Sequence, residues 1–282
     1  MSGDAPRVPL QRLDAVWFQI TGTLCNLACR HCFNASGPRE PWLAALAGDT
    51  VRRAIADAEA LGVRELYFTG GEPFLHRELF DLLDAALAVA PTTVLTNGTL
   101  IDDDVADRLV RTADRSPYSL EIRVSLDGAT AKDNDRVRGR GSFAKALAAV
   151  QRLSRRGLYP IVTATDVAGR ASLYDELRTM LLAAGVDRPR IKILPLLPLG
   201  RCASRVPPDR LTAAELDGFD ATTLPCSESR AIATGGVYAC PILAGLPGAR
   251  VGPDLRAALG PISLEHPACV TCWETGLTCR NA

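Results

Sequence analysis

Leu24-Cys25-Asn26-Leu27-Ala28-Cys29-Arg30-His31-Cys32-Phe33 sets three cysteines in C-x3-C-x2-C spacing directly after a strand-like run, Ala15–Thr21. Thiolates are soft ligands and suit iron–sulfur clusters. Three thiolates leave one iron of a [4Fe–4S] cube without a protein ligand. An open iron takes a small molecule. Farther along stands Thr69-Gly70-Gly71-Glu72-Pro73, again at the end of a strand-like run.

The gross numbers fit this chemistry. The 282 residues support one large α/β domain and a small appendage. Formal net charge is +0, from 32 basic and 32 acidic residues, and no stripe is strongly basic, so nucleic acid is not an expected partner. No signal-peptide pattern and no run of ~20 apolar residues is present, so no membrane partner and a cytoplasmic location are expected. Nine cysteines, an odd number, argue against a disulfide scaffold. Of the three histidines, His31, His76 and His266, none makes a zinc-protease spacing. His31 is expected beside the ligands or in solvent.

Periodicity and punctuation give alternating elements. Strands are expected at Ala15–Thr21, Arg64–Thr69, Thr92–Thr96, Leu120–Leu126, Tyr159–Thr165 and Arg190–Leu194. Helices are expected from Asp49 or Thr50 to Leu61, and at His76–Ala90, Asp102–Thr112, Phe143–Arg155 and Ser172–Ala184. The alternation predicts parallel βα units in an α/β fold, a partial (β/α)6 TIM-like barrel. An open doubly wound sheet is the other topology it allows. The division is a lead at 1–14, a barrel at 15–195 and a cysteine-rich domain at 196–282. That last part is rich in Gly, Pro and Cys, with a short helix expected around Leu211–Phe219. It needs a staple, which metal ligation supplies.

The motifs follow the C-terminal ends of successive strands, where βα loops build sites. Asn97-Gly98 follows strand three and Asp127-Gly128 strand four. The fourth strand, Glu121-Ile122-Arg123-Val124-Ser125-Leu126-Asp127, has period two. Ile122, Val124 and Leu126 are assigned to the helix side, and Arg123, Ser125 and Asp127 to the lumen. A polar lumen face implies a ligand. Lys192 joins Arg123 there from strand six.

Spacing, order and context together resemble the radical SAM enzymes, in which the open iron chelates S-adenosylmethionine (SAM). The resemblance implies that Cys25, Cys29 and Cys32 ligate the first [4Fe–4S] cluster, with Phe33 against the adenine region. It places the SAM amino group against Gly70-Gly71-Glu72. By charge, Glu72 is a candidate acceptor from the ammonium, and Gly70 and Gly71 let backbone approach the methionyl group. Ser125 is the expected direct contact from strand four. Asp127 is either a contact or a turn cap. Arg138 matches a position that pairs with the SAM carboxylate through a bidentate fork. Asn97 is a contact or a plain Asn-Gly turn. The chemistry implied is one-electron reduction by a flavodoxin- or ferredoxin-like donor, reductive cleavage of SAM and hydrogen-atom abstraction.

Cys226 and Cys240 flank a segment with Gly235-Gly236 at its middle, which predicts a hairpin. Cys269 and Cys272 form C-x2-C. The Gly235-x4-Cys240 and Cys269-x2-Cys272 pattern resembles the auxiliary-cluster domains called twitch and SPASM, although the second half of the full SPASM pattern is missing. It implies one auxiliary [4Fe–4S] cluster on Cys226, Cys240, Cys269 and Cys272, two clusters in all. Zinc suits the same four thiolates, and Cys279 is an alternative fourth ligand.

Three reactions fit: epimerisation, dehydrogenation and modification of a ribosomally made peptide. Only 24 residues precede Cys25, which disfavours an N-terminal peptide-recognition domain. Resemblance to small one-auxiliary-cluster enzymes therefore favours a small hydroxylated metabolite: an aminoglycoside, an aminocyclitol or a sugar. Two cysteines outside the seven ligands make epimerisation the leading outcome. Cys279 is the expected hydrogen-atom donor and Cys202 the reserve, with dehydrogenation or peptide modification as alternatives.

Overall fold

The structure, a computed structural model, describes residues 6–39, 41–167, 169–205 and 210–280. Its centre is a run of parallel strands: β1 (Ala15–Gln19), β2 (Glu65–Thr69), β3 (Thr92–Thr96), β4 (Leu120–Ser125), β5 (Ile161–Asp166) and β6 (Arg190–Pro195). The helices between them are α1 (Gly48–Ala60), α2 (Leu79–Leu87), α3 (Asp103–Asp114), α4 (Ala131–Arg138), α5 (Ser142–Arg155) and α6 (Leu173–Ala183).

Strand parity separates two faces. Val16, Phe18, Leu66, Phe68, Ile122 and Val124 pack into the large core under the helices. Ala15, Trp17 and Tyr67 lie on the lumen side in a second cluster. There the rings of Trp17 and Tyr67 stack at 4.0 Å. Arg123 and Ser125 line the lumen cavity, as the period-two reading of strand four requires.

Three features depart from the sequence reading. First, the sheet extends beyond the six expected strands, to nine among the described residues. β7 (Ser229–Ala233) pairs in parallel with β1, then β8 (Gly236–Tyr238) and β9 (Arg250–Gly252) continue antiparallel. The hairpin expected between Cys226 and Cys240 is β7–β8, with Ala233 opposite Gly236. Second, α4 was not foreseen. Its sequence, AKDNDRVR, carries almost no apolar stripe, so it forms on its cap: Thr130 Oγ1 accepts from Asp133 N–H. Third, Leu211–Phe219 has turns and no helix. The helix lies instead at α7 (Pro267–Thr275), which carries Cys269 and Cys272 one turn apart.

The N-terminal lead is tied down as well. Arg7–Val8 pairs antiparallel with Ile262–Ser263, and Val8 is fully buried in a small satellite core with Leu211, Leu224 and Ile262. Cys226, Cys269 and Cys272 pack against that core. No described helix is long and apolar enough to cross a membrane.

Candidate active site

The cysteine loop leaves β1 through a tight turn and is closed by the backbone pairs Cys25 N–H to Gly37 O (3.0 Å) and Gly37 N–H to Thr23 O (3.1 Å). Arg201 anchors it from below the last strand, donating to the carbonyls of Cys29 (2.9 Å), Ala35 (3.1 Å) and Ser36 (2.7 Å). Cys25, Cys29 and Cys32 all line one cavity of about 230 Å³. The N–H of Leu27 points at Cys25 Sγ (3.4 Å) and that of Ser36 at Cys32 Sγ (3.3 Å). Burial pushes the Cys25 thiol up to about 12 and raises that of Cys29. A bound cation is what makes such thiolates stable.

Phe33, Gly70, Gly71, Asn97, Ser125 and Arg138 line the same cavity. The glycines have a further structural reason. A Cβ on Gly71 would stand 2.0 Å from the Leu24 carbonyl oxygen, and one on Gly70 2.2 Å from Thr21 Oγ1. The Gly-Gly turn is therefore pressed against the base of the cysteine loop. Asn97 makes the expected turn and also faces the cavity. Its Oδ1 accepts from Thr99 N–H at 2.9 Å in the turn, and its Nδ2 donates to Asn26 Oδ1 at 2.8 Å while lining the cavity.

Glu72 and Asp127 are placed differently from the expected contacts, since neither lines the cavity. Glu72 is 0 % exposed, and its oxygens accept from Thr96 Oγ1 (2.7 Å), Asn97 N–H (2.8 Å) and Phe74 N–H (3.2 Å). Burial lifts its carboxyl to about 7 against those hydrogen bonds. It ties the β2 turn to β3.

Asp127 is a three-way junction. Its Oδ1 accepts from Thr165 N–H on β5 at 2.8 Å and from Arg138 Nη2 at 3.2 Å. Its Oδ2 stands 2.6 Å from Arg138 Nε and 3.1 Å from His31 Nε2. Burial lowers His31 to about 4, against the pull of the Asp127 charge. The cysteine loop, β5 and α4 meet on one aspartate, and Arg138 is held facing the cavity.

Sequence reading missed Arg201, Gln19 and Thr163. Gln19 is 1 % exposed, lines the cavity, and its Oε1 lacks a hydrogen-bond partner among the described residues. Thr163 Oγ1 is in the same position. The parity of Trp17 and Gln19 on β1 was the available signal. Such orphaned polar atoms beside three thiols suit a cavity that takes a polar ligand.

A second, smaller cavity is lined by Cys226, Cys240, Cys269, Cys272 and Cys279. Cys279 lines both cavities. Burial raises all five thiols above the ordinary range. Cys202, the reserve donor, lines neither cavity. It is 0 % exposed under the cysteine loop, with Sγ 3.7 Å from the Arg30 carbonyl.

The chain is similar to several known proteins. Over 179 residues the chain is 35 % identical to mycofactocin maturase MftC of Mycobacterium tuberculosis, covering 63 % of this chain and 43 % of that protein. It is 31 % identical over 182 residues to the AdoMet-dependent heme synthase of Methanosarcina barkeri (63 % and 49 % covered). It is 32 % identical over 198 residues to the PqqA peptide cyclase of Ruegeria pomeroyi (68 % and 49 % covered). The chain thus matches less than half the length of these relatives. Among solved structures, Streptococcus suis SuiB bound to its precursor peptide SuiA superposes with a TM-score of 0.66 at 16 % identity, covering 90 % of this chain and 65 % of that one, a likeness of fold. The Radical SAM superfamily model matches residues 20–183, more than half of the sequence, from just before the three-cysteine loop to the end of α6. On that match the chain belongs to the radical SAM superfamily.

Proposed function

We propose that this radical SAM enzyme modifies a residue of a ribosomally made peptide. The observation that carries the reading is the charge of the cavity wall. Among the described lining residues the charged side chains are Arg123 and Arg138, and there is no carboxylate. A polycationic aminoglycoside or aminocyclitol needs anionic partners there. Much of the wall is apolar, including Trp17, Phe33, Leu95, Leu197 and Ile242. Such a wall suits an uncharged peptide side chain, with polar groups left to meet backbone amides. The peptide named for the Ruegeria cyclase and the peptide bound by SuiB support the same class. This replaces the small hydroxylated metabolite as the leading reading.

Superfamily membership implies SAM and a [4Fe–4S] cluster, which together supply a radical able to remove a hydrogen atom from an unactivated C–H bond. We assign ligation of that cluster to Cys25, Cys29 and Cys32. Arg138, steadied by Asp127, is assigned the SAM carboxylate, and Ser125 and Asn97 polar contacts. Glu72 shapes the turn and does not touch SAM. The apolar wall excludes water from the reacting carbon. Cys226, Cys240, Cys269 and Cys272 are assigned an auxiliary [4Fe–4S] cluster within the 196–282 region. Zinc is the other metal that these four thiolates suit, and the iron and zinc counts distinguish the two. To Cys279, on the wall of both cavities, we assign the return of a hydrogen atom to the substrate carbon, which gives epimerisation. Electron transfer to the auxiliary site is the oxidative alternative.

Anaerobic turnover in deuterated water tests this, with synthetic peptides and aminoglycosides as competing substrates. Peptides are expected to stimulate 5′-deoxyadenosine formation, and stimulation by aminoglycosides alone would sink the proposal. In the modified peptide, a gain of one mass unit without change of formula marks epimerisation, and a loss of two marks dehydrogenation.

A second prediction concerns Arg138. Arg138→Ala is expected to weaken SAM binding by roughly ten- to hundredfold, the worth of one charge-assisted contact at about 1.5–3 kcal/mol. The first cluster should still assemble. Unchanged affinity in an anaerobic titration followed by the cluster's EPR signal would leave Arg138 a purely structural partner of Asp127.

A further inference from the structure

Gly276, at φ 60°, ends α7 and turns the chain. The next residues, Leu277, Thr278 and Cys279, line the three-thiol cavity, and Cys279 also lines the five-thiol one. Three barrel strands hold this segment. Arg123 of β4 donates Nη1 to the Cys279 carbonyl at 2.8 Å. Lys192 of β6 donates its ammonium to the Arg280 carbonyl. The Arg280 guanidinium reaches Glu65 of β2 at 3.0 and 3.1 Å, and Glu228 before β7 at 2.9 Å. Arg123 is 3 % exposed, and its guanidinium lies 5.5 Å from the centre of the Tyr67 ring.

These charges stand where a TIM-like lumen is normally filled by apolar side chains. Burying a guanidinium is costly unless its donors are used. Here one of them fixes a backbone carbonyl in the shared wall of two cavities. Hydrogen bonds to main-chain oxygens constrain position without depending on the identity of the side chain that follows.

We propose that Leu277–Arg280 is a latched partition between the two thiol-lined cavities, with Arg123 as the positioning residue that fixes Cys279 in it. Arg123 acts through the Cys279 carbonyl, and Lys192 with the Glu65 and Glu228 carboxylates secures the next residue. Cys279 lines both cavities together with Ile242, and it is the thiol that the partition presents to each. The name "auxiliary cluster" for that site rests on the reading above; the partition rests on the contacts.

The test uses the full-length, anaerobically reconstituted enzyme and iodoacetamide, with labelling of each cysteine followed by peptide mass spectrometry. Arg123→Met is expected to raise the Cys279 labelling rate about tenfold through local opening. Arg123→Lys, which keeps a donor, should restore most of the protection. Cys202, 0 % exposed under the cysteine loop, serves as the internal control and should not change. Equal Cys279 rates in the parent and Arg123→Met overturn the proposal. So does a rise shared by Cys202, which would mean general loosening. Should Arg123→Met fail to fold, Lys192→Met removes only the Arg280 carbonyl contact, with the same expected and overturning results. Iron is counted on the same samples. About four irons in the parent, in place of about eight, would refute the auxiliary cluster while leaving the labelling comparison to decide the partition.

Discussion

Replacing Cys25, Cys29 and Cys32 together with alanine is expected to leave about four of about eight irons per chain and to abolish SAM cleavage. The loss should be chemical and not a collapse of the fold. The loop is closed by its own backbone pairs and anchored by three carbonyl contacts from Arg201, none of which needs the thiols. Circular dichroism should therefore stay near that of the parent. The remaining irons should report the auxiliary site alone, so the variant also supplies that site's spectrum. Any 5′-deoxyadenosine formed above background, or iron content equal to the parent's, would refute the assignment of these three cysteines. Four irons in the unmodified chain accompanied by one zinc would instead remove the auxiliary cluster.

The barrel was legible because its signal is local. Thr92–Thr96 coincides with the expected strand, and β4 and β6 differ from expectation by one residue at their ends. Period two along Glu121–Ser125 sent Arg123 and Ser125 to the lumen, where they line the cavity. What the sequence hides is set by long-range pairing or by side-chain direction. β7 returns to β1 across more than 200 residues, and nothing local in Ser229–Ala233 names its neighbour. α4 lacks an apolar stripe and is announced only by its Thr130 cap.

The site shows the same division. Spacing was enough to gather three thiols on one cavity, and it brought Cys226, Cys240, Cys269 and Cys272 around another. Charge was a poor guide to direction. Glu72 looked like a partner for an ammonium, yet the turn points it into three neutral donors. Asp127 shares the lumen parity of Arg123 but lies beyond the end of β4, where Thr165, Arg138 and His31 claim it. His31, read as beside the ligands or in solvent, lines the three-thiol cavity with its Nε2 3.1 Å from that aspartate.

Cys272→Ala is expected to be the most destabilising single substitution among the nine cysteines. Cys272 sits on α7, one turn from Cys269, and lines the small cavity with Cys226 and Cys240. The apolar core around it is slight, with Val8, Leu211, Leu224 and Ile262 among its buried members. Under the proposed assignment, ligation there contributes much of the local free energy. Losing it should not stay local. The same region supplies β7, in parallel register with Ala15–Phe18 of β1, and the β1 strand leads straight into the first-cluster loop. A loss of roughly 4 kcal/mol corresponds to a fall in Tm of about 10 °C for a chain of this size. Iron should drop to about four per chain, and protease should cut beyond residue 195 first. Cys202→Ala provides the contrast. It leaves a small void under the cysteine loop, at a cost of about 1 kcal/mol, and the cluster spectra should survive. If Cys272→Ala keeps the parent's iron and Tm while Cys279→Ala loses four irons, Cys279 replaces Cys272 as the fourth ligand. No thiol outside the proposed cluster ligands would then remain on the wall of that cavity to serve as the hydrogen-atom donor.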